Sequence, residues 1–367
     1  VAQSILIVKL SSMGDVLHTL PAAQALRLRF PHSRLVWAVE QAHAELLARQ
    51  PFLDDTIVWQ RGRRGGFGDF ARRLRSERWD LAIDFQGLFR SGLVTRLSGA
   101  RQRLGFQPAR ELAGIFYNRR HRLATLDRHA VDRSLDLIAS LGASLPGTPL
   151  DRPYIAHRPP TLTTPGPELF PLFPSMTDRR QVDDWRLQHR VDRNEKVVLL
   201  NPHCRRPANL WPIEHFVELA RRLAKMVRVR VAVIGGAAAR PLGDRIAEAC
   251  PSVLRADGAL TLLGSAELIS RSAVLVTGDT GPMHLAAAMG TPTVAMLGAT
   301  NPMRTGPYAS NAIVLHKHLP CSPCLAKTCP LKHEPPLCQQ QITVDEVYNA
   351  VVSQLHFEPA NILRRSA

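Results

Sequence analysis

Four short stretches of the chain carry residue types that can do chemistry. In KLSSMGDVLHTLP (9–21) a carboxylate, Asp15, stands where the apolar run Ile5–Val8 gives way to a helical pattern. Ser11, Ser12 and Gly14 already supply the small and capping residues of such a turn, so Asp15 is either a helix cap or a carboxylate with another task. In LVTGDTGPMHLAAAMG (275–290) a buried-type strand ends at Thr277, and a helix begins near Pro282, a residue suited to a first helical turn. Asp279 or Thr280 can cap that helix. Its backbone N–H groups near Thr280 and Gly281 favour an anion, and the glycine lets a diphosphate approach closely. NPHCRRPANLWP (201–212) also follows a strand and presents Arg205 and Arg206, whose guanidiniums can hold phosphate oxygens with forked hydrogen bonds. His203 and His284 fit a packed histidine with one hydrogen bond as well as they fit a site. Finally, CSPCLAKTCPLKHEPPLC (321–338) spaces Cys321, Cys324, Cys329 and Cys338 as C-x2-C-x4-C-x8-C. Four thiolates so close can make a tetrahedral zinc site or hold iron, whereas Pro320, Pro323 and Pro330 fit a stiffened loop without metal.

These stretches need elements to position them. SILIVKL, RLVWAVE, DTIVW and WDLAIDFQG read as strands of a first half, with HTLPAAQALRLRF, AHAELLARQ and the arginine-rich segment after residue 65 as helices between them. Strand–helix alternation predicts a parallel sheet covered on both faces, with the loops that follow the strands gathered along one edge. YIAHRPPTLTTPGPELFPLFPSMT (154–177), rich in Pro and Thr and without a period, reads as a linker. KVVLLN, RVAVIGG, AVLVTGD and TPTVAMLGAT then resume the alternation, and TVDEVYNAVVSQLH closes it with a helix. The pattern predicts an α/β protein of two doubly wound domains, 1–165 and 166–342, followed by a helix and tail over 343–367, with ligands held in a cleft between the domains.

Composition narrows the partners. The chain has 47 Lys and Arg against 31 Asp and Glu, a net charge of +16, and arginine dominates. Seven arginines crowd RGRRGGFGDFARRLRSERWD (61–80). Such a balance suits an anionic partner, although a run like this is often a solvated helix face. Aromatic residues are only 6%, too few for the stacking platforms of a single-strand nucleic-acid binder, and no zinc-finger spacing or RNA-recognition aromatic pair is present. A zinc-dependent nucleic-acid-binding module is therefore disfavoured. No P-loop and no G-x-G-x-x-G follows the first strand. No apolar run approaches the eighteen or so residues that span a bilayer, and no signal-peptide pattern opens the chain, so a cytoplasmic protein is expected.

ILIVKLSSMGDVLHTLPA, DFQGLFRSGLVTRL, ARELAGIFYNRRH and VTGDTGPMHLAAAMGTPTVAMLGATNP, in this order, resemble the lipopolysaccharide heptosyltransferases of glycosyltransferase family 9. The first three segments look most like its heptosyltransferase I branch. The resemblance implies a GT-B fold of two Rossmann-like domains facing a central cleft, and transfer of heptose from ADP-L-glycero-D-manno-heptose to the Kdo region of the inner core, with inversion. It places Asp15 as the general base. It implies acceptor contacts from Ser12, Met13, Gly14, Gln86, Arg90, Arg119 and Arg120, and donor contacts from Arg205, Arg206, Asn209, Asp279, Thr280, Gly281, Met283 and His284. Members commonly carry a phosphate-binding lysine two residues before the Trp-Pro that here is Trp211-Pro212. This chain departs from them with Asn209, which leaves Arg205 or Arg206 to meet the phosphates. No cofactor is expected for catalysis, since no Asp-x-Asp pair is present, and the Cys cluster is a candidate for structural zinc or iron. Expected partners are ADP-heptose, a Kdo-lipid A acceptor and the anionic inner leaflet on its cytoplasmic side, without nucleic acid. Related acceptors, heptosylated core or a protein, and a non-catalytic nucleotide-sugar binder are the alternatives within and beside the same family.

Overall fold

The computed structural model describes residues 3–123, 125, 127–144 and 168–356. The first sheet comprises β1 (Ser4–Val8), β2 (Arg34–Glu40), β3 (Asp55–Trp59), β4 (Leu81–Asp84), β5 (Gln102–Gln107) and β6 (Arg119–Arg122). Their order is β3-β2-β1-β4-β5-β6, with every pair parallel. The second comprises β7 (Lys196–Asn201), β8 (Val229–Val233), β9 (Leu254–Arg255), β10 (Val274–Gly278), β11 (Thr293–Leu297) and β12 (Ala312–His316), in the order β12-β11-β10-β7-β8-β9, again all parallel. In each sheet the chain begins in the middle, winds to one edge and returns to build the other, so both are doubly wound.

Helices α1 (Met13–Leu17), α2 (Leu20–Arg29), α3 (Gly66–Arg75), α4 (Phe89–Leu97) and α5 (Ala130–Ala139) accompany the first sheet. Then follow α6 (Met176–Gln188), α7 (Ile213–Leu223), α8 (Arg240–Ala249), α9 (Leu262–Ser270), α10 (Gly281–Met289), α11 (Pro302–Thr305), α12 (Leu337–Gln340) and α13 (Val344–Leu355). Central strands covered on both faces must be apolar throughout, which is why Ile5, Leu6, Ile7 and Val8 are all fully buried in succession. Among the described residues, no helix is long and apolar enough to cross a membrane.

The chain forms two compact units, Val1–Phe173 with Met303–Ser310, and Pro174–Pro302 with Asn311–Ala367. The expected boundary at 165/166 and most of the linker lie outside the described residues. The closing helix is no separate tail: Val347, Val351 and Leu355 of α13 enter the same core as Val198, Leu200 and Phe216. Residues 303–310 return to the first unit, a crossing that local pattern does not announce. AHAELLARQ, expected as an α-helix, forms a 3-10 helix over Gln41–Leu47, with only Leu46 and Leu47 buried and so without a continuous apolar face. The short edge strand β6, Arg-Arg-His-Arg, carries no apolar signal at all.

One buried chain of hydrogen bonds fixes the loops beside β1. Asp84, wholly buried at the end of β4, accepts from the Tyr117 hydroxyl (2.7 Å) and from the amides of Gln86 (2.8 Å) and Gly87 (3.0 Å). Gly105 makes this possible, because a Cβ there would meet the Tyr117 ring at 2.3 Å. Gln86 in turn accepts from the Leu10 amide at 2.9 Å, tying the loop after β4 to the loop after β1.

Candidate active site

At the carboxyl end of β1 the chain buries a lysine. Lys9 is 7% exposed; its ammonium donates to the Phe85 carbonyl at 2.9 Å and stands 3.3 Å from Asp15 Oδ1. A buried ammonium needs such partners, since desolvation otherwise costs several kcal/mol. The Ser12 amide and hydroxyl donate to Asp15 Oδ2 at 3.1 and 2.8 Å, so Asp15 closes the first turn of α1 from its third position. Burial pushes the Asp15 carboxyl up, but Lys9 and the two Ser12 donors outweigh it and bring the pKa down to about 2. The Asp15 side chain nonetheless keeps 47% of its surface exposed. The carboxylate is thus a cap and an ionised, accessible group at once.

The expected acceptor residues separate in space. Ser12 serves Asp15, Met13 is half-buried and Gly14 is buried within α1, where its carbonyl accepts from His18. Gln86 spends its oxygen on the Leu10 amide. Arg90 approaches the Ser11 hydroxyl at 3.4 Å, pairs with Glu40 at 3.1 Å and lies 5.5 Å from the centre of the Trp59 ring, so its charge is partly answered. Arg119 is at the opposite edge from Asp15: it begins β6 and donates to the Ser140 carbonyl at the end of α5. Arg120 sits in the same register row as Val8, but three strands away. The resemblance motif around these two arginines is a strand, and a strand divides neighbours along its length.

One other arginine, Arg133, stands within electrostatic reach of Asp15. Arg133, on α5, has its Nε buried with no hydrogen-bond partner among the described residues. Burial first, then the like charges of Arg304 and Arg110, lower its pKa, with Asp15 as the one opposing carboxylate. Sequence reasoning passed over Lys9, Arg110, Arg133 and Arg304. A lysine closing an apolar strand was a legible signal for the first; only the tertiary fold gathers the others.

In the second unit, Asn201, at the end of β7, donates to the Thr277 and Thr280 hydroxyls, both at 2.9 Å. Thr280 occupies the cap position of α10, yet no side chain caps this helix, because the Thr280 hydroxyl is turned to Asn201 and Thr277. The N-terminus before Gly281 therefore keeps its partial positive charge for a ligand. Asn209 is 1% exposed; its oxygen accepts from the Ala299 amide at 3.2 Å and its nitrogen lies 3.4 Å from Asp279 Oδ2. It positions Asp279, whose other oxygen stands 3.9 Å from His284 Nε2. Met283 is fully buried against Ala295 and Leu297, so it belongs to the core rather than to a pocket wall. Arg205 and Arg206 are exposed on the loop, next to Cys204, whose thiol burial pushes up to about 11.

The four clustered cysteines line one pocket with His333 and Ala208. They are not drawn together as ligands: among the described residues, no three His, Cys, Asp or Glu side chains are arranged to hold a metal. Cys338 is buried at the start of α12, close enough that a Cβ on Gly298 would meet its sulfur at 2.6 Å, whereas Cys321 is exposed. The residues as placed do not fit a tetrahedral site. The prolines hold a loop whose backbone docks on its neighbours: Ala208 N donates to Lys327 O (3.1 Å) and Leu325 N to Ala299 O (2.7 Å).

Comparison with known proteins matches this architecture. Residues 67–334 match the family described as glycosyltransferase family 9 (heptosyltransferase). Lipopolysaccharide heptosyltransferase 1 of Pseudomonas aeruginosa is 31% identical over 96% of this chain and 98% of its own. The protein of the same name from Escherichia coli K12 is 34% identical over 84% of this chain and 92% of its own. A solved structure of E. coli heptosyltransferase WaaC with ADP superposes with a TM-score of 0.69 at 26% identity, covering 96% of this chain and 99% of that one. The fold is GT-B, and the chain belongs to glycosyltransferase family 9, the heptosyltransferases.

Proposed function

We propose that this protein transfers heptose from ADP-L-glycero-D-manno-heptose to the Kdo region of the lipopolysaccharide inner core, with inversion and with Asp15 as general base. The observation that carries the reading is the carboxylate itself: ionised, half-exposed, and fixed at the carboxyl end of the central strand by Lys9 and Ser12. Long relatives named lipopolysaccharide heptosyltransferase 1 support the choice of acceptor. In this reading the acceptor hydroxyl attacks the anomeric carbon, the C–O bond to ADP breaks, and the hydroxyl proton passes to Asp15. Charge on the departing diphosphate is met by the uncapped start of α10 and by Arg205 and Arg206, and Asp279 contacts sugar hydroxyls.

Asp15→Asn should lower kcat by about two to four orders of magnitude while the KM for ADP-heptose stays unchanged, as ADP release with Kdo-lipid A will read. Loss of donor binding instead would remove Asp15 from the role of base. Replacing Arg205 and Arg206 together by alanine should raise the donor KM at least about tenfold, the size of one or two lost charge-assisted hydrogen bonds; an unchanged donor KM would take both off the phosphates.

The pH dependence follows from the ion pair. A carboxyl held at about 2 is ionised throughout the working range, so the wild-type kcat/KM should show no acid limb from Asp15 above roughly pH 4. Lys9→Met removes the main force opposing burial, so the Asp15 pKa rises and an acid limb moves toward neutrality. The stability contribution of the paired carboxylate has the same sign: present above its ordinary value near 4, and lost as pH falls toward about 2. Superimposable profiles for the two proteins would refute this account.

We place the enzyme at the cytoplasmic face of the inner membrane, docked by the arginines of 61–78. All seven are exposed; Arg61, Arg63, Arg72 and Arg73 share Glu40, Asp69, Asp55 and Glu77 as partners, which leaves Arg64, Arg75 and Arg78 without an ion pair among the described residues. Sedimentation with anionic vesicles at low salt should fall when these three become serine; equal sedimentation would place docking elsewhere.

A further inference from the structure

Leu112 exposes 76% of its surface and Ile115 67%, in a segment whose backbone is firmly held. The Arg110 amide donates to the Gly87 carbonyl at 3.1 Å, the Ala113 amide to Arg110 at 2.9 Å and the Ile115 amide to Leu112 at 3.1 Å. Beyond the 3-10 turn Ala113–Phe116, the Tyr117 hydroxyl anchors the chain on Asp84. The Phe116 ring seats on α4 where a larger residue than glycine would collide with it: a Cβ on Gly92 would meet the ring at 2.7 Å. Within this frame Glu111 and Leu112 both adopt left-handed backbone, with φ of 49° and 59°. A leucine is strained there, and Asn or Gly would sit more easily. The fold thus holds an aliphatic side chain out in water, in a conformation that its own type disfavours.

The exposed face continues from this tip. Phe89, also exposed, meets the Phe116 ring edge-on at 5.1 Å, while the Glu111 carboxylate accepts from the Phe89 amide at 3.3 Å. Arg90 follows, its guanidinium 5.5 Å from the centre of the Trp59 ring, and the exposed Phe67 ring meets Trp59 at 5.6 Å. Phe67 stands within the arginine-rich stretch, just after Arg61, Arg63 and Arg64. All of these follow β3, β4 or β5, so one edge of the first sheet carries an aliphatic tip, an aromatic band and a group of cations.

The chemistry of this face selects its occupant. Two side chains exposed to that degree form a convex point and no groove, so a folded partner would need a matching pocket, whereas a fluid apolar phase closes around them. A second copy would bring the same cations against the face. Nucleic acid would answer the arginines and leave the aliphatic side chains in water. An anionic bilayer answers both, with head groups for the arginines, an interface for the aromatic pair and hydrocarbon for the tip.

We propose that Leu112 and Ile115, with Phe89 behind them, form an apolar tip that enters the acyl region of an anionic bilayer while Trp59, Phe67 and the neighbouring arginines stay at head-group level. This rests on the reading that the enzyme docks on such a membrane, and adds to it a contact that salt does not screen.

The test uses the full chain and vesicles of phosphatidylethanolamine mixed with phosphatidylglycerol, without donor or acceptor, so that no outcome depends on transfer. Leu112→Asn combined with Ile115→Ser should weaken vesicle binding at least about tenfold, as expected for two apolar side chains withheld from hydrocarbon, and should remove the binding that wild type retains at high salt. Asn accepts left-handed backbone, so the thermal midpoint of this variant should be no lower than that of wild type, which separates a lost membrane contact from a lost fold. Leu112→Trp should emit further to the blue with vesicles and be quenched by lipids brominated along their acyl chains, beyond any change in wild type. Unchanged vesicle binding by the double variant, a lowered midpoint, or an unquenched indole in the Leu112→Trp protein overturns the proposal. So does self-association of wild type without lipid that the double variant abolishes. Replacing Arg64, Arg75 and Arg78 by serine separates the tip from the docking reading. Binding that falls with the arginines and not with the tip removes the tip and keeps that reading; binding that falls with the tip alone does the reverse, and no binding by wild type removes both.

Discussion

The Lys9–Asp15 ion pair is the constraint around which the first unit is arranged. Lys9 is buried because β1 is the central strand, and a buried ammonium cannot be left alone. Its two partners come from different loops: the Phe85 carbonyl after β4 and the Asp15 carboxylate after β1. Satisfying one charge therefore locks both loops at the same sheet edge. The Asp84–Tyr117 network behind them serves the same end, holding the turn at Gln86 and Gly87 so that Gln86 can take the Leu10 amide. Removing the charge pair would free Asp15 from its orientation as well as from its ionisation.

The second unit reaches an equivalent end with neutral groups. Asn201 and Asn209, both buried, use their amides as two-sided connectors between loops. Asn201 withdraws the Thr280 hydroxyl from its helix, which leaves the start of α10 uncapped. Asn209 spans Ala299 and Asp279, and the backbone of its neighbour Ala208 meets the cysteine-rich loop. The family lysine expected at this place would bring a charge to the donor; here the position orients Asp279, and the exposed cations are the loop arginines. The departure visible in sequence thus puts a neutral, buried amide between two loops where the family pattern has a charge.

What was legible in the sequence follows from how local each signal is. Central strands such as Ile5–Val8 and Leu275–Thr277 declare themselves because both faces are buried. β6 does not, because an edge strand with exposed faces needs no apolar residue. Asp15 was legible as a carboxylate too many for its turn, and Thr280-Gly281 as a helix start. Met283 was misread because helix α10 is apolar on more than one face, so sequence could not tell core from pocket. Arg119 was misread because a motif names residues and does not say which end of a strand they occupy. Cysteine spacing left a metal cage and a proline-stiffened loop both open, and in the fold the four thiols line one pocket. Arg304 was out of reach altogether, since its neighbours are set by a segment that leaves one unit and packs on the other.

A carboxylate with a pKa near 2 is a weak base, and this bears on how Asp15 acts. Basicity is needed only when the acceptor proton becomes acidic. As the new C–O bond forms, the attacking oxygen moves from alcohol-like to strongly acidic, and its proton then passes downhill even to a poor base. Before that point a stronger base would gain little, because the hydroxyl has not yet changed. As the proposed base, Asp15 has to offer a fixed negative oxygen that stays unprotonated, and the Lys9 ammonium and the two Ser12 donors keep it so. A low pKa and the proposed role of base are therefore compatible: the same ion pair that fixes the carboxylate at the end of β1 keeps it ready to receive the proton.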